Sequence, residues 1–382
     1  MRLSAESPVS PHGGTGVLVS LAVAAGCNRC PVPNVWDRSD ATAAASHFVG
    51  RSTTTVRWVE LVSVPCAQAL IVSVVQEWAC WMPCGFELFD RIVLIYNPVN
   101  RRVPLTLAES MRRELGRRLP GVPVALQATQ HAGHARELAS AAAATGRPLI
   151  VAVSGDGVYN EVVNGVLDVS GAEALAAVAA GGNANDHRRS TRRMPLVDAI
   201  AAAHVRGRAR HLDLLRLTVR SADSEWNQYA HSYIGFGLTP LMAVGQKRDR
   251  KGTVAELLSV LRTFTELTPV EIVRSGGRRE LYDSLVFANV ALMAKYGRLS
   301  NSGRPDDGLF EVVSRRHGRR WRIAAMALRA ATIGLRAQAR VSRVEFATVD
   351  AVPFQIDGEV FHLKSDSGII IDCAPHALAT VG

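Results

Sequence analysis

The segment from Pro148 to Asp168 constrains the fold more than any other part of the sequence. Residues 148–153 read Pro-Leu-Ile-Val-Ala-Val, a short apolar run typical of a strand buried on both faces of a parallel sheet. A loop, Ser154-Gly155-Asp156-Gly157, follows it. Beyond the loop, valines at 158, 162, 163 and 166 recur with a period near 3.6 residues. We therefore predict a strand, a tight glycine loop and a helix, in that order.

The loop suits a phosphate group. Gly155 and Gly157 permit positive φ angles and the close approach of a ligand, and the free N–H groups at a helix start attract anions. A carboxylate here would repel phosphate unless a cation lay between them, so Asp156 indicates magnesium binding or proton acceptance. The simpler alternative is an ordinary strand-to-helix turn with an aspartate at the helix cap, and these four residues alone favour it.

Four motifs in order favour the functional alternative. Residues 154–165, Ser-Gly-Asp-Gly-x-x-Asn-Glu-Val-Val-Asn-Gly, resemble the catalytic signature of the diacylglycerol kinase and sphingosine kinase superfamily. Three further landmarks of that family lie at residues 181–186, 305–313 and 354–360. The resemblance covers residues 91–373. It implies an N-terminal α/β nucleotide-binding domain and a C-terminal antiparallel β-sandwich-like domain, with the active site in the cleft between them.

The resemblance also implies roles for individual residues. The residues implied to contact the nucleotide are Asn97, Pro98, Thr129, Ser154, Gly155, Asp156, Gly157, Asn160, Glu161, Gly182, Asn183 and Asn185. The residues implied to bind magnesium are Asp156, Asp186, Asp213, Asp306 and Asp307, of which the last two occupy a turn where related bacterial kinases bind a structural magnesium ion. The candidates for the catalytic proton acceptor are Asp156, Asp357 and Glu359. At both Asp-Gly turns, at 307–308 and 357–358, a plain hairpin turn is the alternative.

The sequence departs from the family pattern at three positions near the proposed phosphates. Val158 replaces a threonine, and Asn183 and Ala184 alter the second glycine loop. These changes keep open a catalytically degenerate protein that binds nucleotide or lipid. A kinase acting on a soluble acceptor, of the NAD-kinase or sugar-phosphate type, is the other alternative.

Beyond residue 90, hydrophobic patterns divide the chain into two domains. In the α/β domain, 91–211, we predict strands at 91–96 and 122–126, helices at 105–119 and 199–205, and Thr129 as a helix cap. In the β-rich acceptor domain, 212–382, we predict strands at 212–220, 228–235, 270–274, 281–291 and 309–314, and helices at 239–268 and from 315 to about 339. The extreme C-terminus is expected to be able to pack back on the first domain.

Residues 1–90 differ in character from the rest. They contain five of the six cysteines and four of the six tryptophans, and Met82 lies shortly before the first predicted strand. We expect a poorly ordered extension or a mis-assigned start codon, without export or a membrane-spanning helix. The pairs Cys27/Cys30 and Cys80/Cys84 could form a zinc site, but unpaired cysteines are the default.

The net charge of +10 indicates an anionic partner. There is no interleaving of aromatic and basic residues, so nucleic acid is not expected. We predict a cytoplasmic kinase that uses ATP and Mg²⁺ and transfers the γ-phosphoryl group to a lipid hydroxyl, such as that of diacylglycerol or a sphingoid base, at an anionic membrane surface. The sequence leaves open which lipid is the acceptor and whether the protein forms a homodimer.

Overall fold

A computed structural model describes residues 87–98, 102–182, 185–191, 193–240, 268–293, 297–299, 303–319 and 321–381. The expectations for residues 1–86, including both cysteine pairs, lie outside the described residues. So do the predicted nucleotide contact Asn183 and most of the predicted helix at 239–268.

The first lobe is a parallel four-stranded sheet flanked by helices. Its strands, in spatial order β2-β1-β3-β4, are β1 (Arg91–Tyr96), β2 (Val124–Ala128), β3 (Pro148–Ser154) and β4 (Leu175–Ala180). Its helices are α1 (Arg102–Arg118), α2 (His134–Ala143), α3 (Asp156–Leu167), α4 (Asp186–Thr191) and α5 (Leu196–Arg206). Every residue of β3 is buried, as the apolar run predicts.

Alternation along β3 explains how both faces of this sheet are covered. Ile150 and Ala152 pack with α2 and α3, whereas Leu149, Val151 and Val153 pack on the opposite side with α1 and α5. Because successive side chains of a strand point to opposite faces, one continuous apolar run supplies both cores.

The second lobe is an antiparallel sheet of eleven strands. These are β5 (Arg210–Ser221), β6 (Ser224–Ala230), β7 (Tyr233–Gly237), β8 (Val270–Arg274), β9 (Arg279–Ala288), β12 (Phe310–Arg316), β13 (Ala339–Val341), β14 (Arg343–Thr348), β15 (Pro353–Ile356), β16 (Glu359–His362) and β17 (Gly368–Thr380). Two short strands, β10 (Leu292–Met293) and β11 (Gly297–Arg298), pair separately, and α6 spans Trp321–Thr332. A cluster of phenylalanines forms the core of the eleven-stranded sheet. The predicted combination of an α/β domain and a β domain is confirmed.

The paired strands β5 and β17 run through both lobes. Leu212, Leu214 and Leu378 belong to a core cluster of the parallel sheet, whereas Leu217 and Ile371 belong to the core of the antiparallel sheet. A β-bulge between Ala374 and Leu378 shifts the register of this pair. The two lobes are therefore joined by a continuous two-stranded ribbon as well as by packing.

The structure corrects two predicted elements of the second lobe. The strand expected at 228–235 is two strands, β6 and β7, which are separated at His231–Ser232. The helix expected from 315 to about 339 is shorter, because β12 continues to Arg316 and α6 ends at Thr332. Gly334, with φ 85°, donates its N–H to the carbonyl of Arg329 at 2.8 Å and terminates that helix. Within the described residues, no helix has the length and apolarity to cross a bilayer.

Candidate active site

Predicted nucleotide contacts converge at one edge of the parallel sheet. Asn97 follows β1, Thr129 follows β2, Ser154 ends β3 and Gly181 follows β4. Backbone hydrogen bonds hold these chain segments together, from Thr129 N to Tyr96 O at 2.9 Å and from Gly181 N to Ser154 O at 3.1 Å. The carboxyl ends of parallel strands form the usual ligand crevice of such sheets, so the fold collects these residues where a ligand can bind.

The two glycine loops pack backbone against backbone. A Cβ atom added to Gly182 would lie 2.3 Å from the Cα of Gly155, which no side chain tolerates. Asn185, with φ 52°, fixes the second loop because its Oδ1 accepts from Gly182 N at 3.0 Å and its Nδ2 donates to Gly182 O at 2.8 Å. Both loops therefore present bare backbone, which suits the close approach of phosphate oxygens. The predicted contact Pro98 is exposed beside them.

Asp156 and Asp186 lie together between these loops. The Asp156 carboxylate accepts the N–H of Asp186 at 2.8 Å and that of His187 at 3.3 Å. Asp186 is fully buried and accepts the Tyr233 hydroxyl from the second lobe at 3.2 Å. Burial raises the pKa of Asp156 and the charge of Asp186 adds to this rise, although His231 and the two amides oppose it. The other oxygen of Asp186 lies 3.5 Å from Arg189 Nη1, so one guanidinium faces two carboxylates here and the pair keeps a net negative charge. A divalent cation would relieve the remaining repulsion, so this pair fits a magnesium ion.

Asp357 connects three parts of the structure and is 2% exposed. Its Oδ1 accepts the N–H groups of Ser232 and Tyr233, each at 2.9 Å, and its Oδ2 accepts His231 N and Asn160 Nδ2, each at 2.8 Å. These bonds turn the backbone at 231–232 and explain why β6 and β7 are separate strands. Because both oxygens already hold two donors, Asp357 is poorly placed to accept a substrate proton.

Glu359 is the better candidate for a proton acceptor. It follows a two-residue hairpin turn in which Asp357 and Gly358 both have positive φ, 48° and 90°, as the tightest hairpins require. The turn directs Glu359 across the cleft toward the first lobe. A Cβ atom on Gly157 would lie 2.6 Å from Glu359 Oε1, so the carboxylate rests against the first glycine loop. Unlike Asp357, Glu359 retains partial exposure.

Asn160 is turned toward the second lobe and away from the nucleotide edge. It is 3% exposed, its Nδ2 also donates to Tyr229 O at 2.8 Å, and its Oδ1 accepts from Gln228 Nε2 at 3.1 Å. With the bond to Asp357, these contacts use its whole amide. The structure therefore gives Asn160 a role in joining the lobes, and its nucleotide contact stays a prediction.

Glu161 likewise has a structural position. Its carboxylate accepts Gly133 N at 3.0 Å and Ala135 N at 3.1 Å, so it caps the start of α2. Thr129 was the predicted cap, but α2 begins five residues later, after Gly133 at φ 85°. The correction has a physical cause, because a glutamate on the neighbouring helix satisfies the free N–H groups from outside.

The other predicted magnesium ligands form a separate group. Asp213, on β5, contacts the turn that carries Asp306 and Asp307, through the N–H of Gly308 at 2.6 Å. Across the described residues, the three-residue group whose possible ligand atoms all lie within 4.8 Å of one another is His131, His134 and Glu137. No such group includes the predicted aspartates in that part of the chain.

A buried cluster of aromatic rings contacts the backbone of Asp156, and no local sequence pattern predicts it. His231 is fully buried, and its Nε2 lies 3.1 Å from the carbonyl of Asp156 and 3.3 Å from the Asp357 carboxylate. Its ring contacts those of Tyr159 and His187, with centroids 4.7 Å apart in each case. His231 lies between β6 and β7, where no local pattern indicates burial. Its position at the junction of the lobes could therefore not be predicted.

Comparison with known proteins identifies the family. Residues 91–217 match the family model of the diacylglycerol kinase catalytic domain, which covers the glycine loops, Asp156 and Asp186. Residues 91–217 therefore belong to the diacylglycerol kinase catalytic-domain family. This kinase is 26% identical over 291 residues to the diacylglycerol kinase of Bacillus subtilis strain 168, an alignment that covers 70% of the chain and 89% of the relative.

Solved structures show the same fold as this kinase. Two Bacillus anthracis str. Sterne structures assigned as diacylglycerol kinases align with TM-scores of 0.56 and 0.55, each at 17% identity, over 77% of this chain and 97% of theirs. Both lobes of this kinase are therefore shared with those proteins.

Proposed function

We propose that this kinase transfers the γ-phosphoryl group of ATP to the hydroxyl of a lipid, with Glu359 as the proton acceptor. The contact between Glu359 and Gly157 carries the proposal. It places a partly exposed carboxylate of the second lobe beside the loop that suits phosphate. A general base must reach both the acceptor hydroxyl and the phosphoryl group under attack, and this position supports that role.

The residues at the sheet edge fit a nucleotide and a divalent cation. The glycine loops at 155–157 and 181–182 would hold phosphate oxygens through backbone N–H groups, with Asn97, Thr129 and Ser154 beside them. Asp156 and Asp186 would hold Mg²⁺, which neutralises phosphate charge when bound. The raised pKa of Asp156 is consistent with this arrangement, because a cation favours the charged carboxylate.

A surface on the second lobe supports an acceptor that resides in a membrane. Trp321 at the start of α6 is 63% exposed, and Ile333 just past its end is 66% exposed. The guanidinium of Arg322 lies 5.6 Å from the Trp321 ring centre, and Arg319 and Arg329 are also exposed. Indole rings and arginines suit the headgroup layer of an anionic bilayer. We propose that this face binds the membrane that carries the lipid.

Transfer of labelled γ-phosphate from ATP to diacylglycerol, sphingosine and total membrane lipid tests the proposal. The wild type should label a lipid, and Glu359→Gln should lower kcat at least about 100-fold while leaving KM for ATP nearly unchanged. Labelled soluble product without labelled lipid would indicate a soluble acceptor. Nucleotide binding without any transfer would indicate the degenerate protein.

Sedimentation with vesicles tests the membrane surface separately. Trp321→Ala should weaken binding to vesicles that contain anionic lipid. Val205→Ala is the matched control, because Val205 is an exposed apolar residue of similar kind on α5. Vesicle binding that falls equally in both variants, or in neither, would contradict membrane binding by the surface around Trp321.

A further inference from the structure

The turn before β12 is bound to the rest of the second lobe through a buried carboxylate. Asp213 is fully buried, and its Oδ2 accepts Gly308 N at 2.6 Å while its Oδ1 accepts His376 N at 2.8 Å. The Asp213 N–H donates in turn to the carbonyl of Pro305 at 2.7 Å. Asp213 therefore joins the turn to β5 and to the register shift of β17 through one main-chain bond and two bonds from main-chain N–H groups to its carboxylate.

Arginine side chains donate hydrogen bonds to both aspartates of the turn itself, Asp306 and Asp307. Asp306 Oδ2 accepts from Arg210 Nη2 at 3.2 Å, and Asp306 Oδ1 accepts from Arg304 Nε at 3.3 Å. Asp307 Oδ2 accepts from Arg340 of β13, and its Oδ1 accepts the N–H of Leu309 at 3.1 Å. Together with Asp213, all six carboxylate oxygens at this turn accept at least one N–H group.

The charges at this turn do not suit a divalent cation. Asp306 and Asp307 face three guanidinium groups, those of Arg210, Arg304 and Arg340. With the buried carboxylate of Asp213, the local charge is close to zero. Mg²⁺ requires several oxygen ligands in near-octahedral geometry, and a guanidinium at hydrogen-bond distance from the same oxygens repels it. Arginine stays protonated at every ordinary pH, so titration cannot remove this competition.

We infer that this turn holds its shape without a metal ion, and that arginine guanidinium groups take the place that magnesium takes in related kinases. Any dependence of this protein on Mg²⁺ then arises at Asp156 and Asp186. The folded state of the second lobe is independent of the ion.

Thermal unfolding of the full chain without nucleotide tests the inference. After removal of metal with EDTA, the change in Tm that millimolar MgCl2 causes relative to KCl of equal ionic strength should be the same in the wild type and in Asp307→Asn. In the double variant Arg304→Gln, Arg340→Gln, two aspartates lose charged partners, so Tm should fall by a few degrees and should then rise with added MgCl2. Arg136→Gln is the matched control, because it breaks an ion pair with the single carboxylate of Asp168 and should gain no response to Mg²⁺.

Two results would overturn the inference. The first is a rise in the Tm of the wild type with MgCl2 that Asp307→Asn abolishes and Asp156→Asn retains, because it would place the ion at the turn. This comparison uses conservative single substitutions and does not depend on the folding of the double variant. The second is a double variant that is destabilised but indifferent to Mg²⁺, because its freed carboxylates would then not form a cation site. A rise that Asp156→Asn alone abolishes would support the inference.

Discussion

Substitution of Gly157 by alanine should separate catalysis from stability. The added Cβ would lie 2.6 Å from Glu359 Oε1 and 3.4 Å from its Cδ. Ordinary contact requires about 3.5 Å, so the carboxylate must move by about 1 Å. Gly157 lies in the first turn of α3 and does not have a positive φ, so the backbone accepts alanine without strain. The atom that must move is the end of a partly exposed glutamate side chain, and the backbone stays in place.

The two expected magnitudes differ widely. Alanine is favoured over glycine in a helix by about 1 kcal/mol, and near a helix end by less, so the free energy of unfolding should change by under about 1 kcal/mol. Displacement of a proton acceptor by about 1 Å costs about 100-fold in rate. We therefore expect kcat to fall by about that factor. Because Gly157 also belongs to the loop that would hold the phosphates, the change in KM for ATP reports on nucleotide binding and the fall in kcat at saturating ATP reports on Glu359.

Urea unfolding and steady-state kinetics measure both quantities on the same preparation. Gly165→Ala is the matched control, since its Cβ would lie 2.3 Å from the backbone oxygen of Arg136, at the contact of α3 with α2. It should lower stability and leave the kcat of the folded fraction unchanged. A Gly157→Ala variant with wild-type kcat would refute the assignment of Glu359. A loss of more than about 2 kcal/mol in that variant would refute the reasoning about packing.

Three further predictions concern buried or paired carboxylates. Asp357→Asn leaves buried N–H groups without an acceptor, so urea unfolding should show a loss of about 3 kcal/mol, whereas Glu359→Gln should change stability by under about 0.5 kcal/mol. Glu161→Ala removes the cap of α2 and should cost about 1 to 2 kcal/mol by the same assay, without raising KM for ATP. Burial raises the pKa of Asp306, but Arg210 and Arg304 outweigh it and lower the pKa overall. The charged Asp306 carboxylate therefore stabilises the fold fully above the ordinary aspartate pKa, and this stabilisation disappears as pH falls through the lowered pKa. The difference in unfolding free energy between wild type and Asp306→Asn should shrink below about pH 4. A difference that grows in acid would contradict the lowered pKa.

Local patterns were enough to predict β3 and α3 at the centre of the first lobe. The apolar run of β3 fits a strand that is buried on both faces, and the change of period after Gly157 marks the start of α3. Both signals lie within twenty residues of sequence, where periodicity reports directly on burial.

Features that depend on distant partners could not be predicted. The break between β6 and β7 is produced by Asp357, 126 residues beyond His231. Glu161 resembles a nucleotide ligand in the motif, but α2 lies beside it and takes both of its oxygens. The resemblance to a family implied that Asp357 or Glu359 faces the phosphoryl acceptor. The contact of Glu359 with Gly157 was not predicted, because nothing in the local sequence specifies which turn faces a loop about 200 residues earlier.

The ribbon formed by β5 and β17 has a consequence for synthesis of the protein. Val381 and Leu378 complete core clusters whose other members lie mostly between residues 89 and 214. Although the first lobe is encoded first, part of its core is missing until residues 378–381 have left the ribosome. We therefore expect the first lobe to remain incompletely folded and exposed to chaperones while the second lobe is synthesised, unlike the domains of most multidomain proteins, which fold in order from the N-terminus.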